Sequence, residues 1–136
     1  MTAVGEVLAE WDFTVEAGKI REFARAVRDT SGGPDPQVAP PTFFVVASAE
    51  FVERLVTGHL SLDRSRTVHG AQEYHYFLPV RAGDRLHCRA RLVGDETKAG
   101  RRGGQMRILT TETEYSLDGT LVCRETSTTI EKAPLL

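Results

Sequence analysis

Four histidines, two cysteines and scattered carboxylates are the groups in this 136-residue chain able to move a proton or attack a carbon near neutral pH. His69 opens the run His69-Gly70-Ala71-Gln72 at the start of a strand. It either faces a ligand pocket as a proton acceptor or is held by hydrogen bonds at the strand entrance. His75 and His87 fall opposite the apolar positions of their strands, which places them in solvent. His59 follows Gly58, the glycine expected to close a helix, and there it caps carbonyls or meets water. No two histidines share ligand-like spacing with a third nitrogen, oxygen or sulfur donor, so no metal site is expected, and nothing calls for another cofactor. Cys88 and Cys123 lie near no base that would activate a thiol, form no CxxC pair, and read as reduced and partly buried. Asp29 ends a helix, where an aspartate commonly bonds local N–H groups, and Asp84 reads as a turn residue.

Two helices and a run of strands must position these groups. Trp11, Phe13 and Val15 alternate as a short strand does. Ile20, Phe23, Ala24 and Val27 then recur at helical spacing among charged residues, predicting an amphipathic helix from near Thr14 or Glu16, with Thr14 as N-cap. Residues 30–41, TSGGPDPQVAPP, are a loop by composition. A second helix is expected from about Pro41 to Thr57, with proline at its first position and Gly58 just past its end. Its first half, through Phe43, Phe44, Val45, Val46, Ala47 and Ala49, has no polar face, and only Glu50, Glu53 and Arg54 restore one. A helix apolar all round must be surrounded by protein.

From Val68 to Leu86 the chain reads as an extended strand ending in the turn Pro79-Val80-Arg81-Ala82-Gly83-Asp84, then re-entering a second strand. Tyr74, Tyr76, Leu78 and Val80 share one face, and Leu86, Cys88, Ala90 and Leu92 another. Leu109, Thr111, Thr113, Tyr115 and Leu117 follow. Asp118-Gly119 marks a hairpin into a threonine-rich strand from Leu121 to Ile130. That last strand is either solvated on its polar face or pairs edge to edge with another subunit. Sequential hairpins imply an antiparallel meander of five or six strands in an α+β domain spanning 1–136.

The formal net charge of −2 gives no electrostatic case for nucleic acid, and Arg101-Arg102 among glycines reads as a solvated hairpin tip. No stretch has the length to span a bilayer, and the N-terminus lacks the pattern of a signal peptide, so a cytoplasmic protein is expected.

Several segments together resemble the MaoC-like hydratases and dehydratases of the hot-dog fold. They are Lys19-Ile20-Arg21-Glu22-Phe23-Ala24, Ala39-Pro40-Pro41-Thr42-Phe43, His69-Gly70-x-Gln72, Pro79 to Asp84, and Glu125-Thr126-Ser127-Thr128-Thr129-Ile130. They span nearly the whole chain in the family's order. The resemblance is to the N-terminal dehydratase-type half and to the small subunits of the mycobacterial (3R)-hydroxyacyl-ACP dehydratase. It implies an antiparallel sheet wrapped around one helix, and an acyl thioester substrate carried on acyl carrier protein or coenzyme A. It also implies reversible loss of water from a (3R)-3-hydroxyacyl chain. In that chemistry a histidine exchanges the C2 proton, an acid assists the hydroxyl, and backbone N–H groups at the helix start polarise the carbonyl. Thr42, Phe43, His69, Gln72 and Tyr74 are the residues the resemblance places against substrate.

The family's catalytic pair is an Asp followed five residues later by His, before the buried helix. Asp29 sits where the acid sits, but no histidine lies between Asp29 and Gly58, and Pro40 and Pro41 remove two N–H donors at the entrance. The expected role is a subunit that shapes the acyl channel while a second hot-dog chain supplies Asp and His. Two alternatives stand beside it. One is a homodimer that binds an acyl thioester or apolar ligand without chemistry. The other is a self-sufficient dehydratase with relocated groups, Asp29 and His69 being the candidates.

Overall fold

Period-two alternation of apolar residues makes each strand bury one face, and a single sheet results. The computed structural model describes residues 3–54 and 58–134. Along the chain come β1 (Val7–Thr14), α1 (Ala17–Ala26), α2 (Val45–Arg54), β2 (Thr67–Tyr76), β3 (Arg85–Ala99), β4 (Gln105–Leu117) and β5 (Thr120–Glu131). The strands form one five-stranded antiparallel sheet in the order β1-β3-β4-β5-β2. Its inner face holds α2, giving the helix-in-sheet arrangement of a hot-dog fold.

The register sets inner-face residues in rows across the strands. One row runs Trp11, Cys88, Tyr115, Cys123, Tyr76, and the next runs Ala9, Ala90, Thr113, Glu125, Tyr74. Leu86, Cys88, Ala90 and Leu92 of β3 are fully buried. Leu86 and Leu92 each contribute about 1.5–3 kcal/mol on leaving water. Against them α2 sets Ala47 and Phe51, preceded by Phe43 and Phe44, all buried. Phe51 stacks on Trp11 with ring centroids 5.3 Å apart, closing the β1 side of the core. The Asp118-Gly119 turn joins β4 to β5 with φ of 48° and 83°, the mirror-type geometry a two-residue hairpin needs.

Several expectations are corrected. Only β3, β4 and β5 form a meander. β2 pairs with β5 and not with β3, because the segment from Phe77 to Asp84 crosses to the other side of the sheet. The threonine-rich β5 is consequently an interior strand, and β1 and β2 are the sheet's edges. Leu78 and Val80 leave the face of Tyr74 and Tyr76, since both lie beyond the end of β2. Thr14 is not a helix cap: it ends β1 opposite Arg85, and Glu16 occupies the cap position, its carbonyl accepting from Lys19 and Ile20. Val27 lies just past α1 and is exposed.

The buried helix begins at Val45, four residues after Pro41. Thr42 holds φ at +68°, outside the helical region, and residues 43–47 are joined by short-range turn bonds before regular helix is established. Nor is α2 covered all round. Val45 and Val52 remain 45% and 40% exposed on the side away from the sheet. The side chains of Glu50 and Glu53, and residues 55–57 where the expected end at Thr57 falls, lie outside the described residues. No helix among those described is long and apolar enough to cross a membrane.

Candidate functional site

The loop before α2 is tied to the segment after β2. Ala39 N–H donates to the Val80 carbonyl at 2.8 Å, and Ala82 N–H to Gln37 O at 2.8 Å. This brings Pro40, Pro41 and Thr42 beside the end of β2. Neither proline offers an N–H, and the Thr42 N–H donates to the Tyr76 hydroxyl at 2.8 Å. A β-branched residue at positive φ is strained, and this bond helps to hold it. Tyr76 stacks on Tyr74 at 6.0 Å and meets Phe44 at 6.1 Å. An apolar cleft of about 370 Å³ opens here, lined by Val38, Pro41, Phe44, Tyr76, Phe77 and Leu78 among others.

One row deeper lies a buried polar chain. Glu125 of β5 is only 3% exposed. One carboxylate oxygen accepts from Gln72 Nε2 at 2.6 Å, and the other from the Tyr115 hydroxyl at 2.5 Å. The Ser48 hydroxyl of α2, which donates to the Val45 carbonyl at 3.4 Å, adds a smaller influence that favours the Glu125 charge. Gln72 Oε1 is 2.9 Å from His69 Nε2, which is also 2.9 Å from the Ala71 carbonyl. Burial pushes the Glu125 carboxyl above its usual range, while Tyr115, Gln72, Ser48 and the His69 charge pull the other way. Burial, reinforced by the Glu125 charge, likewise raises the Tyr74 and Tyr115 phenols. Gly70 permits the bulge between His69 and Ala71, because a Cβ there would stand 2.8 Å from Ile130 Cδ1.

Of the residues singled out from the sequence, His69, Gln72 and Tyr74 share the inner side of β2, the first two joined by the bond just described. Thr42 stands at the helix entrance one turn of chain away, linked to this strand through Tyr76. Phe43 is 1% exposed, packed edge-on against Phe23 at 5.6 Å in the core. Asp29 is apart from all of these. Its carboxylate accepts from the Ser31 N–H and hydroxyl at 2.9 and 2.6 Å, which hold it below the usual range. No hydrogen bond or ion pair among the described residues joins it to His69. Cys88 and Cys123 are free and buried, and burial pushes each thiol up to about 12, far from a working nucleophile. Among the described residues no cluster of three His, Cys, Asp or Glu is arranged to hold a metal.

Glu125, Tyr115 and Ser48 were not among the sequence candidates. Counting by twos from the apolar Cys123 puts Glu125 on the inner face, and a glutamate in phase with a core row was the available signal.

Fold and site define a hot-dog protein whose helix entrance lacks the usual acid–histidine pair. The model of the FAS1-like, dehydratase domain region matches residues 2–125. The chain belongs to that family. A UPF0336 protein of Saccharopolyspora erythraea is 37% identical over 134 residues, covering 88% of this chain and 82% of that one. A chain of the C-terminally truncated HadBC (3R)-hydroxyacyl-ACP dehydratase complex from Mycobacterium tuberculosis is 26% identical. It superposes with a TM-score of 0.70 over 96% of this chain and 99% of that chain. The MaoC-like dehydratase from Rhodospirillum rubrum shares the fold at 22% identity, with a TM-score of 0.60 over 98% and 95% of the two chains.

Proposed function

We propose that this chain, read as one hot-dog domain from 1 to 136, is a non-catalytic subunit of a (3R)-3-hydroxyacyl-thioester dehydratase or hydratase. It shapes the acyl channel while a second hot-dog chain supplies the Asp and His. The helix entrance carries this reading. Ala39-Pro40-Pro41-Thr42 holds no imidazole, two of its positions have no N–H, and the Thr42 N–H is already bonded to Tyr76. An oxyanion donor and a proton shuttle are thus both missing where the family's chemistry takes place. The unpaired outer edge of β2 and the exposed Val45, Val52, Phe77 and Leu78 support a second hot-dog chain docking alongside. The HadBC likeness supports the same arrangement.

The experiment is a water-elimination assay on (3R)-3-hydroxyacyl-CoA and acyl-carrier-protein substrates. It is run with the pure chain and with the chain co-purified with an Asp-x4-His hot-dog partner. Turnover by the pair and none by the chain alone is expected. Turnover by the chain alone, abolished by His69→Ala, would move the chemistry into this polypeptide. The apolar cleft beside Tyr76 favours one other reading, a homodimeric binder of acyl thioesters. Saturable binding by the chain alone, with no turnover in any pairing, would establish it in place of the first.

A further inference from the structure

The hairpin between β3 and β4 reaches past the rest of the sheet. β1 runs beside β3 no further than Leu92, and β5 ends at Glu131 opposite Arg107. Beyond them Lys98 still pairs with Met106 and Ala99 with Gln105, accompanied by the tail that follows β5. At the tip Gly100 N–H donates to Gly104 O at 2.9 Å, and a Cβ on Gly104 would stand 2.8 Å from that of Ala133. Lys132 N–H donates to the Arg66 carbonyl at 2.8 Å. Continuing the register puts Lys98, Met106 and Lys132 in one row, the two lysines two strand spacings or about 10 Å apart.

Positive charge gathers at this end. Lys98, Arg101, Arg102 and Lys132 are all exposed, and none has an ion pair with a carboxylate among the described residues, whereas the neighbouring Arg66 and Arg107 pair with Asp63 and Asp95. The sequence holds no Asp or Glu between Glu96 and Glu112, and Glu131 is committed to the Asp63 N–H at 2.6 Å. None of the four cations lines the cleft beside Tyr76 or either of two further cavities of about 420 Å³. A protruding, spread-out cationic surface suits a protein face carrying several carboxylates better than a single phosphate group.

The patch is also remote from this chain's own helix entrance. It adjoins the Thr67 end of β2, and the entrance is tied to the Tyr76 end, the 10 residues of the strand separating them by about 30 Å. Two such sheets joined edge to edge along β2, about an axis perpendicular to them, set those strands antiparallel. The Thr67 end of this chain then stands beside the partner's helix entrance.

We propose that the tip of the β3–β4 hairpin, together with Lys98 and Lys132, is a docking surface for an acidic protein. Resting on the function proposed above, that protein is the acyl carrier protein, and the surface delivers its acyl thioester to the entrance of the partner chain, where the Asp and His are. A subunit without a proton shuttle thus selects the carrier for the subunit that has one.

The test begins with a titration of the whole ¹⁵N-labelled chain with holo acyl carrier protein. Amide shifts are expected from Lys98 to Gly104 and at Lys132, with affinity falling about tenfold from low salt to about 0.3 M salt. The double substitution Arg101→Glu, Arg102→Glu should abolish them, and Arg101→Ala, Arg102→Ala should weaken them, the amide spectrum of each variant showing that it is folded. No shifts at the hairpin, or shifts that salt and both variants leave untouched, would overturn the proposal. In the two-chain complex, the glutamate variant should raise KM about tenfold for 3-hydroxyacyl chains on acyl carrier protein. It should leave kcat, and turnover of the coenzyme A thioester, unchanged. An equal loss on both carriers would put a phosphate site in place of a protein-docking surface, and no loss on either would leave Arg101 and Arg102 as a solvated tip; each result overturns the proposal. A complex without turnover would overturn the dehydratase reading, and docking, measured by the titration, would still stand or fall separately.

Discussion

Removing one oxygen from the core tests the electrostatics of the Glu125 site. Tyr115→Phe keeps the ring that meets Phe44 at 4.5 Å, so little packing is lost. What disappears is the donor to one Glu125 oxygen, in a place water does not reach. A hydrogen bond to a charged group is worth about 1.5–3 kcal/mol, and one to a neutral group about 0.5–1.5 kcal/mol. The loss must then depend on whether Glu125 is ionised. Its folded-state carboxyl lies above the usual range, chiefly through burial, so its contribution is fully present below the unfolded value and is lost as pH rises through the folded one. The Tyr115 bond favours the charged form and limits that loss. Without it the folded value rises further, and the variant falls behind the wild type most on the alkaline side. A destabilisation of about 2 kcal/mol there corresponds to about 7 °C in Tm for a 136-residue chain. The gap should shrink by about half in acid, below the carboxylate range. The assay is paired thermal melts of both proteins from acid to mildly alkaline pH, kept below the phenol range so that the Tyr115 hydroxyl does not itself titrate and the other groups cancel. An equal Tm gap at both ends, or a larger one in acid, would refute the reasoning.

Thr42→Gly should raise stability by about 1 kcal/mol, because glycine accepts the +68° φ that strains threonine, and a fall in Tm would show that no strain is relieved. Tyr76→Phe should cost about 1 kcal/mol and speed hydrogen exchange at the Thr42 amide, the one donor it releases. Leu86→Ala, at a site with no exposure, should cost about 2–5 kcal/mol in denaturant unfolding. Asp95 is held below its usual range by hydrogen bonds from Arg107, so its contribution is present above the unfolded value and lost as pH falls. Asp95→Asn should therefore cost about 0.5 kcal/mol at neutral pH, and the difference should close in acid melts.

The inner faces of β3 and β4 were legible because Leu86 to Leu92 and Leu109 to Leu117 alternate strictly, and burial follows that period. The Asp118-Gly119 turn was legible because few dipeptides favour two positive φ values. Strand order was not. Val68 to Leu86 has the look of a hairpin, but the turn at Pro79 to Asp84 is tied to the loop at Gln37 to Ala39 instead of closing a ladder. That is a long-range contact no local pattern announces. The helix start was misjudged for a related reason. Proline at the first helical position is a sound local rule, yet here the Thr42 N–H is captured by Tyr76 from a strand 34 residues away. At the candidate site the His69-Gly70-x-Gln72 run drew notice as a motif, whereas Glu125 passed for one more polar residue on a threonine-rich strand. Its meaning depends on Gln72, 53 residues distant, and on the register that makes them neighbours.

Trp11 is the only tryptophan in the sequence, and its ring lies on Phe51 at the β1 side of the core. The chain therefore carries one indole, which can be excited apart from its tyrosines, placed where α2 meets the sheet and at the opposite edge from β2. Its emission will register a shift of that helix against β1, with no label and no competing indole. Ligand or partner contacts confined to the β2 edge will leave it unchanged unless the helix itself moves. A titration followed by this signal thus separates an event that repacks the core from one that only covers the surface.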